Sequence, residues 1–150
     1  MKLYVLALIL LSGLAFSADE APKKMLDFVQ GKWVVDMDAT LKDPIIKAEL
    51  EKDKSAEAKI KMVMGSASYE FTKDTIIMTI QMMPKPITTT FKIVENTTKI
   101  LTLDATAQGG GDKAIRIEVL FKDKDHIILP NPMMKVNVIL KRPEEVGPKK

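Results

Sequence analysis

The segment ASYEFTKDTIIMTI, residues 67–80, decides the expected fold, because apolar and polar side chains alternate through it on both sides of a short turn. Lys73-Asp74 supply the turn between the two alternating runs. A period of two places successive side chains on opposite faces of a β-strand, so the segment predicts a hairpin with one buried face. That face carries Ala67, Tyr69, Phe71, Ile76, Met78 and Ile80.

Similar segments follow one another along the chain and are separated by turn residues such as Pro84-Lys85-Pro86 and Gly109-Gly110-Gly111. Short connections favour a meander of neighbouring antiparallel strands, and closing such a meander removes its exposed edges. The sequence therefore predicts an all-β fold, an antiparallel up-and-down barrel of about eight strands. In its first strand, residues 31–40, the inward face is expected to carry Trp33, Val35, Met37 and Ala39.

Residues 43–64 interrupt the strands with a helical pattern. Asp43 can cap a helix that begins at Pro44, and Ser55 can begin a second helix that Gly65 ends in the left-handed conformation. The pattern fits two short helices or one longer helix. Because the apolar stripe is narrow and the other residues are mostly charged, we expect this insert to lie on the surface, as a lid over the barrel after strand one.

The beginning of the chain has the pattern of a targeting signal. Lys2 gives a positive start, residues 3–11 form an apolar run, and Ala15-Phe16-Ser17 offer small residues at a cleavage site. We therefore expect residues 1–17 to be a cleaved signal peptide and the protein to be exported, as a periplasmic or secreted protein.

Composition limits the class of protein and its partners. The expected mature chain is a barrel domain, residues 18–142, followed by a charged, disordered tail, residues 143–150. The chain has no cysteine, so its core alone has to stabilise it. Its net charge is +3, and charges of both signs are interspersed along the sequence. A nucleic-acid-binding face is therefore not expected. We expect a monomer that is not embedded in a membrane after cleavage.

The segment FVQGKW, residues 28–33, resembles the start of calycins, the superfamily of lipocalins and fatty-acid-binding proteins, whose first strand begins with a Gly-x-Trp motif. The resemblance implies a barrel whose base is closed by a basic residue of the last strand, packed over this tryptophan. Arg142 ends the expected last strand, and counting by twos from Leu140 gives Arg142 the inward parity of Trp33. Gly31, Trp33 and Arg142 are therefore the expected closure residues.

In layout the chain looks like the bacterial lipocalin-like proteins, but it departs from the better-known families. The later loop motifs of lipocalins are absent, and so are the disulfides that many of them carry. Fatty-acid-binding proteins have more strands and bind a carboxylate with internal arginines and a tyrosine. Arg116 has outward parity here, so a carboxylate clamp is not expected.

The nearly all-apolar inward face indicates binding of a small hydrophobic ligand, a lipid or an acyl chain, in the barrel interior. Apolar burial would supply the affinity, at about 25 cal/mol per Å² removed from water. The candidate ligand-binding residues are Val35, Met37, Tyr69, Phe71, Met78, Ile80, Phe91, Leu103, Ile117, Phe121 and Val138.

Two other classes of function compete with ligand binding. The barrel could instead be filled by its own side chains and act through its surface, as a protein-interaction or envelope-stress module without ligand. An enzyme is not expected, because the single histidine, His126, follows a charged segment typical of an exposed turn, with no nucleophile to activate. Asp36 and Asp38 are expected on the outward, solvated face of strand one. Neither a cofactor nor a metal is expected.

The ten methionines raise the possibility of copper binding, because thioethers suit Cu(I). Their spacing favours core filling, or a flexible lining of the cavity. Strand spacing points Met37, Met78, Met82 and Met134 inward, and helix spacing puts two more beside the expected barrel mouth, Met62 and Met64.

Overall fold

The computed structural model describes residues 24–109, 111, 113–131 and 136–144. These residues form a closed antiparallel barrel of eight strands, in which each strand pairs with its neighbours in the sequence and the last pairs with the first. The predicted up-and-down barrel is therefore confirmed. The strands are β1 (Gly31–Val35), β2 (Ala67–Phe71), β3 (Thr75–Ile80), β4 (Ile87–Asn96), β5 (Ile100–Ala107), β6 (Ile115–Asp123), β7 (His126–Asn131) and β8 (Val136–Lys141).

Helices occur on both sides of the first strand: α1 (Met25–Val29) before it, and α2 (Met37–Thr40), α3 (Pro44–Lys52) and α4 (Ala56–Met64) after it. The expected insert thus forms two short helices, which settles the alternative left open by the sequence. The sequence did not reveal α1 and α2, because helices of five and four residues are too short to show a helical period.

Because successive strands run in opposite directions, the connections between them lie alternately at the two ends of the barrel. Helices α2 to α4 connect β1 to β2 at one end, which also holds the β3–β4 turn; we call it the helical end. The β2–β3, β4–β5 and β6–β7 turns lie at the other end, the base. Helix α1 lies at the base, where the N–H of Met25 donates to the carbonyl of Thr97 in the β4–β5 turn over 3.0 Å.

Strand β1 is shorter than predicted. It ends at Val35, because the Asp36 side chain accepts a hydrogen bond from the N–H of Ala39 over 3.0 Å and begins helix α2. The expectation that alternation continues to residue 40 is therefore wrong, and Asp36 and Asp38 do not share the outward face of a strand. A short β1 leaves only two residue pairs between β1 and β8, Val34 with Lys141 and Val35 with Leu140.

A single apolar cluster fills most of the barrel interior. Its members come from α1 and from all eight strands, so the alternation identified the inward face correctly in the central part of the sheet. The buried members are Met25, Val29, Trp33, Val35, Ala67, Phe71, Ile76, Phe91, Leu101, Leu103, Ala105, Val119, Ile127, Val138 and Leu140.

Two expectations at the helical end are wrong. Met82 does not point inward, because β3 ends at Ile80 and the chain turns there, with the N–H of Met83 donating to the carbonyl of Ile80 over 2.9 Å. Gly65 ends α4 with a φ of −66°, so the left-handed conformation is not used. Glycine is required there by space, since a Cβ would clash with the carbonyl oxygen of Lys61.

Several expectations concern residues outside the described part of the chain. They are the signal peptide at residues 1–17, the inward orientation of Met134, and the disordered tail beyond residue 144. Among the residues that the structure does describe, no helix combines the length and the apolar character needed to cross a membrane.

Candidate functional site

The base of the barrel is closed by a cation stacked on an indole. The guanidinium carbon of Arg142 lies 3.9 Å from the ring centre of Trp33, which is fully buried. Nη1 of Arg142 donates to the carbonyl of Gln30 over 2.8 Å, and Nη2 donates to the carbonyl of Phe28. Arg142 therefore satisfies backbone carbonyls at the end of α1 while it stacks on the tryptophan.

Burial lowers the pKa of Arg142 from its ordinary value, although the guanidinium still carries its charge at neutral pH. Gly31 makes room for this group. Its φ is +99°, a conformation that L side chains rarely adopt, and a Cβ there would lie 3.2 Å from Nη1 of Arg142. The structure thus brings together Gly31, Trp33 and Arg142, the three residues predicted to close the barrel.

Helix α1 completes the seal of the base. The indole Nε1 of Trp33 donates to the carbonyl of Val29 over 2.6 Å, and the N–H of Leu26 donates to the side-chain oxygen of Asn96 over 3.1 Å. Phe28 packs edge-on against both Trp33 and Phe121, with ring centres 5.7 and 5.3 Å apart. Met25, Val29 and Trp33 are fully buried, so the apolar side chains at the base are covered.

The helical end is joined to β8 mainly by side chains. Beyond its two pairs with β1, the edge of β8 that faces β1 bonds to the segment from Asp36 to Asp43 instead of a strand, beginning with a hydrogen bond from the N–H of Asp36 to the carbonyl of Ile139 over 2.8 Å. Thr40 Oγ1 accepts from the N–H of Ile139 over 3.0 Å, and the Asp43 carboxylate accepts from the N–H of Asn137 over 3.2 Å. We call this line of contacts the side-chain seam. Thr40 and Asp43 are both buried, which is unusual for a threonine and a carboxylate unless they are hydrogen-bonded.

Asp43 also caps α3, as the sequence predicted. Its Oδ1 accepts from the N–H groups of Ile45 and Ile46, at 2.9 and 3.4 Å. One carboxylate therefore fixes the start of the lid helices and ties that start to the edge of β8.

An apolar pocket of about 360 Å³ lies between α3, α4 and the first residue of β8. We call it the lid pocket. Its wall is almost entirely apolar, with one carboxylate, Glu49, which is paired with Lys52 over 2.9 Å. Pockets that bind small molecules usually have volumes of about 300–1,000 Å³, so the lid pocket is large enough for one. It is lined by Ile45, Ile46, Glu49, Ile60, Met64 and Val136.

A second, smaller cavity of about 160 Å³ lies among inward-facing side chains of the barrel. Tyr69 and Thr89 are the polar residues in its wall. Burial raises the pKa of Tyr69, so its phenol is neutral at physiological pH. The cavity is lined by Tyr69, Ile76, Met78, Ile87, Thr89, Ile117 and Leu129.

The lid pocket and the interior cavity border the same hairpin. Leu129, in the wall of the interior cavity, is the cross-strand partner of Val138, and Val136 in the lid pocket is the next residue with the same orientation on β8. Met64 lines the lid pocket and also packs against the core cluster. A flexible, unbranched side chain thus lies between the lid pocket and the core cluster.

The candidate ligand-binding residues occupy three kinds of position. Tyr69, Met78 and Ile117 line the interior cavity. Met37, Ile80 and Phe121 pack against the core cluster from partly buried positions. The other five are buried within the cluster: Val35, Phe71, Phe91, Leu103 and Val138. The sequence interpretation missed Ile45, Ile46 and Ile60, although the four-residue spacing of Ile46 and Leu50 could have indicated an apolar helix face turned toward the barrel.

His126 does not lie free in an exposed turn, contrary to expectation. Its side chain is 26% exposed and is held between two carboxylates, with Nδ1 2.7 Å from Asp123 and Nε2 3.3 Å from Asp36. Barrel closure creates this arrangement, because β8 pairs with both β7 and β1, and Lys141 is the cross-strand partner of His126 on one side and of Val34 on the other. The contact joins the β6–β7 turn to the N-cap residue of α2.

The pKa values of both carboxyl groups are lowered, which favours their charged forms. Burial raises the pKa of Asp36, but the hydrogen bond from Ala39, the charge of Lys141 and the contact with His126 outweigh it, so that pKa lies below its ordinary value. The pKa of Asp123 is likewise lowered, because the hydrogen bonds from His126 and Asp125 outweigh the effect of burial.

These lowered pKa values predict acid sensitivity. A carboxylate whose pKa is lower in the folded state stabilises the fold above its unfolded pKa, and this stabilisation is lost as pH falls through the folded value. We expect the thermal midpoint of the wild type to exceed that of Asp36→Asn at pH 5, and the difference to shrink below about pH 4 as Asp36 is protonated. Asparagine keeps the cap of α2, so the difference isolates the charge. Asp38→Asn in the same helix is the control, and an equal loss in that variant would contradict the assignment.

Comparison with family models, with curated proteins and with solved structures finds no match to this chain. The described residues form a closed antiparallel barrel of eight strands, with helices inserted after the first strand.

Proposed function

We propose that this protein is a calycin-like binding protein for a small hydrophobic ligand, a lipid or an acyl chain. The observation that carries the proposal is the apolar lid pocket of about 360 Å³, beside an otherwise well-packed barrel. A sealed base at Arg142 and Trp33 supports it, because a ligand would then enter through the helical end. The interior cavity of about 160 Å³ is too small for a lipid alone, so the ligand's main body is assigned to the lid pocket.

In this proposal the end of an acyl chain reaches past Met64 into the interior cavity. Affinity comes from apolar burial at about 25 cal/mol per Å², with no charge clamp. The neutral phenol of Tyr69 adds a polar group deep in the cavity without introducing a charge. Activity outside the cytoplasm, after removal of residues 1–17, belongs to the same proposal.

The first test is binding of a fluorescent fatty-acid analogue, together with native mass spectrometry of the purified protein. Ile60→Trp fills the lid pocket and is expected to weaken binding about tenfold or more, equivalent to about 1.4 kcal/mol or more. Ala58→Trp, on the exposed side of the same helix, is the matched control and should bind normally. No binding by the wild type and no co-purified lipid would refute the proposal.

A second variant pair tests the path into the barrel. Thr89→Phe fills the interior cavity, whereas Thr88→Phe places the same ring on the opposite face of β4. We expect Thr89→Phe to weaken binding of a long-chain probe and to leave a short-chain probe unaffected. Equal binding of both probes by both variants would confine the ligand to the lid pocket.

A filled barrel that acts through its surface is the second candidate. The small volume of the interior cavity and the continuous buried cluster favour it. It predicts that neither Ile60→Trp nor Thr89→Phe changes any binding property, and that the protein carries no lipid when purified.

A further inference from the structure

The imidazole of His126 contacts a different carboxylate with each of its two ring nitrogens. Nδ1 lies 2.7 Å from Oδ1 of Asp123 at the end of β6, and Nε2 lies 3.3 Å from Oδ2 of Asp36, the N-cap residue of α2. None of the three residues lines the lid pocket or the interior cavity. The proposed ligand site therefore does not account for this arrangement.

Each carboxylate is also fixed by a backbone hydrogen bond of its own. Asp36 accepts from the N–H of Ala39 over 3.0 Å, and Asp123 accepts from the N–H of Asp125 over 2.9 Å. Because the pKa of each carboxyl group is lowered, both groups remain charged above about pH 5. The imidazole thus lies between two positioned negative charges, and its own charge is the one that changes near neutral pH.

Only the protonated imidazole can satisfy both contacts. A neutral imidazole carries one N–H, and its other ring nitrogen is an acceptor with a lone pair. Where that lone pair faces a carboxylate, two acceptors meet, so one of the two contacts is lost when the ring loses a proton. A histidine makes this change between about pH 5 and 8, and His126 is the only histidine in the chain.

The distances indicate which contact survives in the neutral ring. The contact of Nδ1 with Asp123 is the shorter one and lies within a single turn of the chain. The contact of Nε2 with Asp36 is longer and joins residues that are far apart in the sequence. The neutral ring should therefore keep its hydrogen on Nδ1 and turn a lone pair toward Asp36. Loss of the proton then releases the start of α2.

The charged neighbours of the imidazole act on the two carboxylates from farther away. Lys141 on β8 is the cross-strand partner of His126 and acts on Asp36, and Lys122 on β6 acts on Asp123. Two positive and two negative charges balance, so the direct contacts of the ring nitrogens decide where the proton is held. Three further groups nearby have other partners: Lys124 pairs with Asp125, Arg142 stacks on Trp33, and Asp38 acts on Lys61.

We propose that His126 is a pH-dependent clamp between the β6–β7 turn and the start of α2, closed when the imidazole is protonated and open when it is neutral. The clamp therefore stabilises the helical end below about pH 6, and this stabilisation is lost as the pH rises toward about 8. The N–H of Asp36 also donates to the carbonyl of Ile139, beside the side-chain seam. Opening the clamp should loosen that seam. The inference concerns control of the helical end and does not depend on a ligand.

The experiment is hydrogen exchange of the full chain, followed by NMR from about pH 5.5 to about 8 and expressed as protection relative to an unfolded chain at the same pH. The amides of Asn137 and Ile139 report on the side-chain seam, because they donate to Asp43 and Thr40. We expect their protection to fall about three- to fivefold across this range, while that of β5 stays constant. Constant protection of the seam amides, no protection of them at about pH 5.5, or an equal loss in β5 would overturn the proposal.

Two variants and one spectroscopic signature assign the effect to the clamp. His126→Gln cannot carry the charge, so its seam amides should show the lower protection of the wild type at about pH 8 throughout the range. Asp125→Asn, in the same turn, leaves both contacts in place and should keep the wild-type profile.

A long-range ¹H–¹⁵N spectrum of the wild type at about pH 8 should place the remaining ring hydrogen of His126 on Nδ1. A hydrogen on Nε2, a pH profile that persists in His126→Gln, or one that disappears in Asp125→Asn would contradict the clamp. All these measurements are made without a ligand, so their failure leaves the proposed function untouched, and a failure of probe binding leaves the clamp untouched.

Discussion

Arg142→Leu should lower the free energy of unfolding by about 3 kcal/mol, from the sum of two losses. A partly desolvated cation over an indole contributes about 1–2 kcal/mol, and hydrogen bonds from a charged donor to the carbonyls of Phe28 and Gln30 contribute a similar amount. Leucine keeps the aliphatic volume, so the change removes charge and donors with little loss of packing. Urea denaturation followed by tryptophan fluorescence measures it, because Trp33 is the only tryptophan.

The matched control is Arg116→Leu, at the only other arginine in the chain. Arg116 pairs with Asp104 over 2.9 Å on the outer face of the sheet, where solvent screens the attraction. We expect a much smaller change in that variant. Similar losses in the two variants would mean that Arg142 is an ordinary surface arginine and that the base is closed by packing alone.

Asp43→Ala should cost about 3 kcal/mol, because it breaks the side-chain seam and the cap of α3 together. Loss of a helix cap costs about 1 kcal/mol, and a buried N–H left without an acceptor, here that of Asn137, costs about 1–3 kcal/mol. The same variant should weaken binding of the fluorescent probe, since it frees the start of the helices that enclose the lid pocket. Denaturation and probe titration of one preparation measure both effects.

Asp53→Ala provides the comparison for the second prediction. Asp53 accepts from the N–H of Ser55 over 2.8 Å just before α4, as Asp43 does before α3, but it is exposed and its hydrogen bonds reach no strand. Its replacement should change stability much less and leave probe binding intact. If both variants behave alike, the seam contributes no more than an exposed helix cap.

Strand alternation was sufficient to predict the number of strands, their order and the closure of the barrel. In a half-buried strand, apolar residues on the inner face alternate with polar residues on the outer face, and this pattern is visible in the sequence. It failed at Asp36, since a single side-chain hydrogen bond to Ala39 turned the chain into a helix while the apolar alternation continued to Ala39. Alternation reports the face of a side chain, and it does not report where the strand stops.

The closure of the base could be anticipated for a different reason. Trp33 and Arg142 are chemically distinctive, and strand parity alone gives both an inward orientation. The lid pocket could not be anticipated in the same way, because its existence depends on how closely α3 and α4 approach β8. The distance of α3 and α4 from β8 depends on the hydrogen bonds of Asp43 and on the volumes of the packed side chains. Neither can be read from the periodic pattern of apolar residues. The contact of His126 with Asp36 likewise joins residues about ninety positions apart, and only the closed barrel brings them together.

The side-chain seam has a mechanical consequence. A barrel closed by a full ladder can open only by breaking backbone pairing along a whole strand, which is a global event. Here the ladder between β1 and β8 stops after two pairs, and the rest of the joint at the helical end is one backbone hydrogen bond, from the N–H of Asp36 to the carbonyl of Ile139 over 2.8 Å, together with a hydroxyl and a carboxylate. We therefore expect the helical end to open locally at a smaller cost in free energy than unfolding of the sheet.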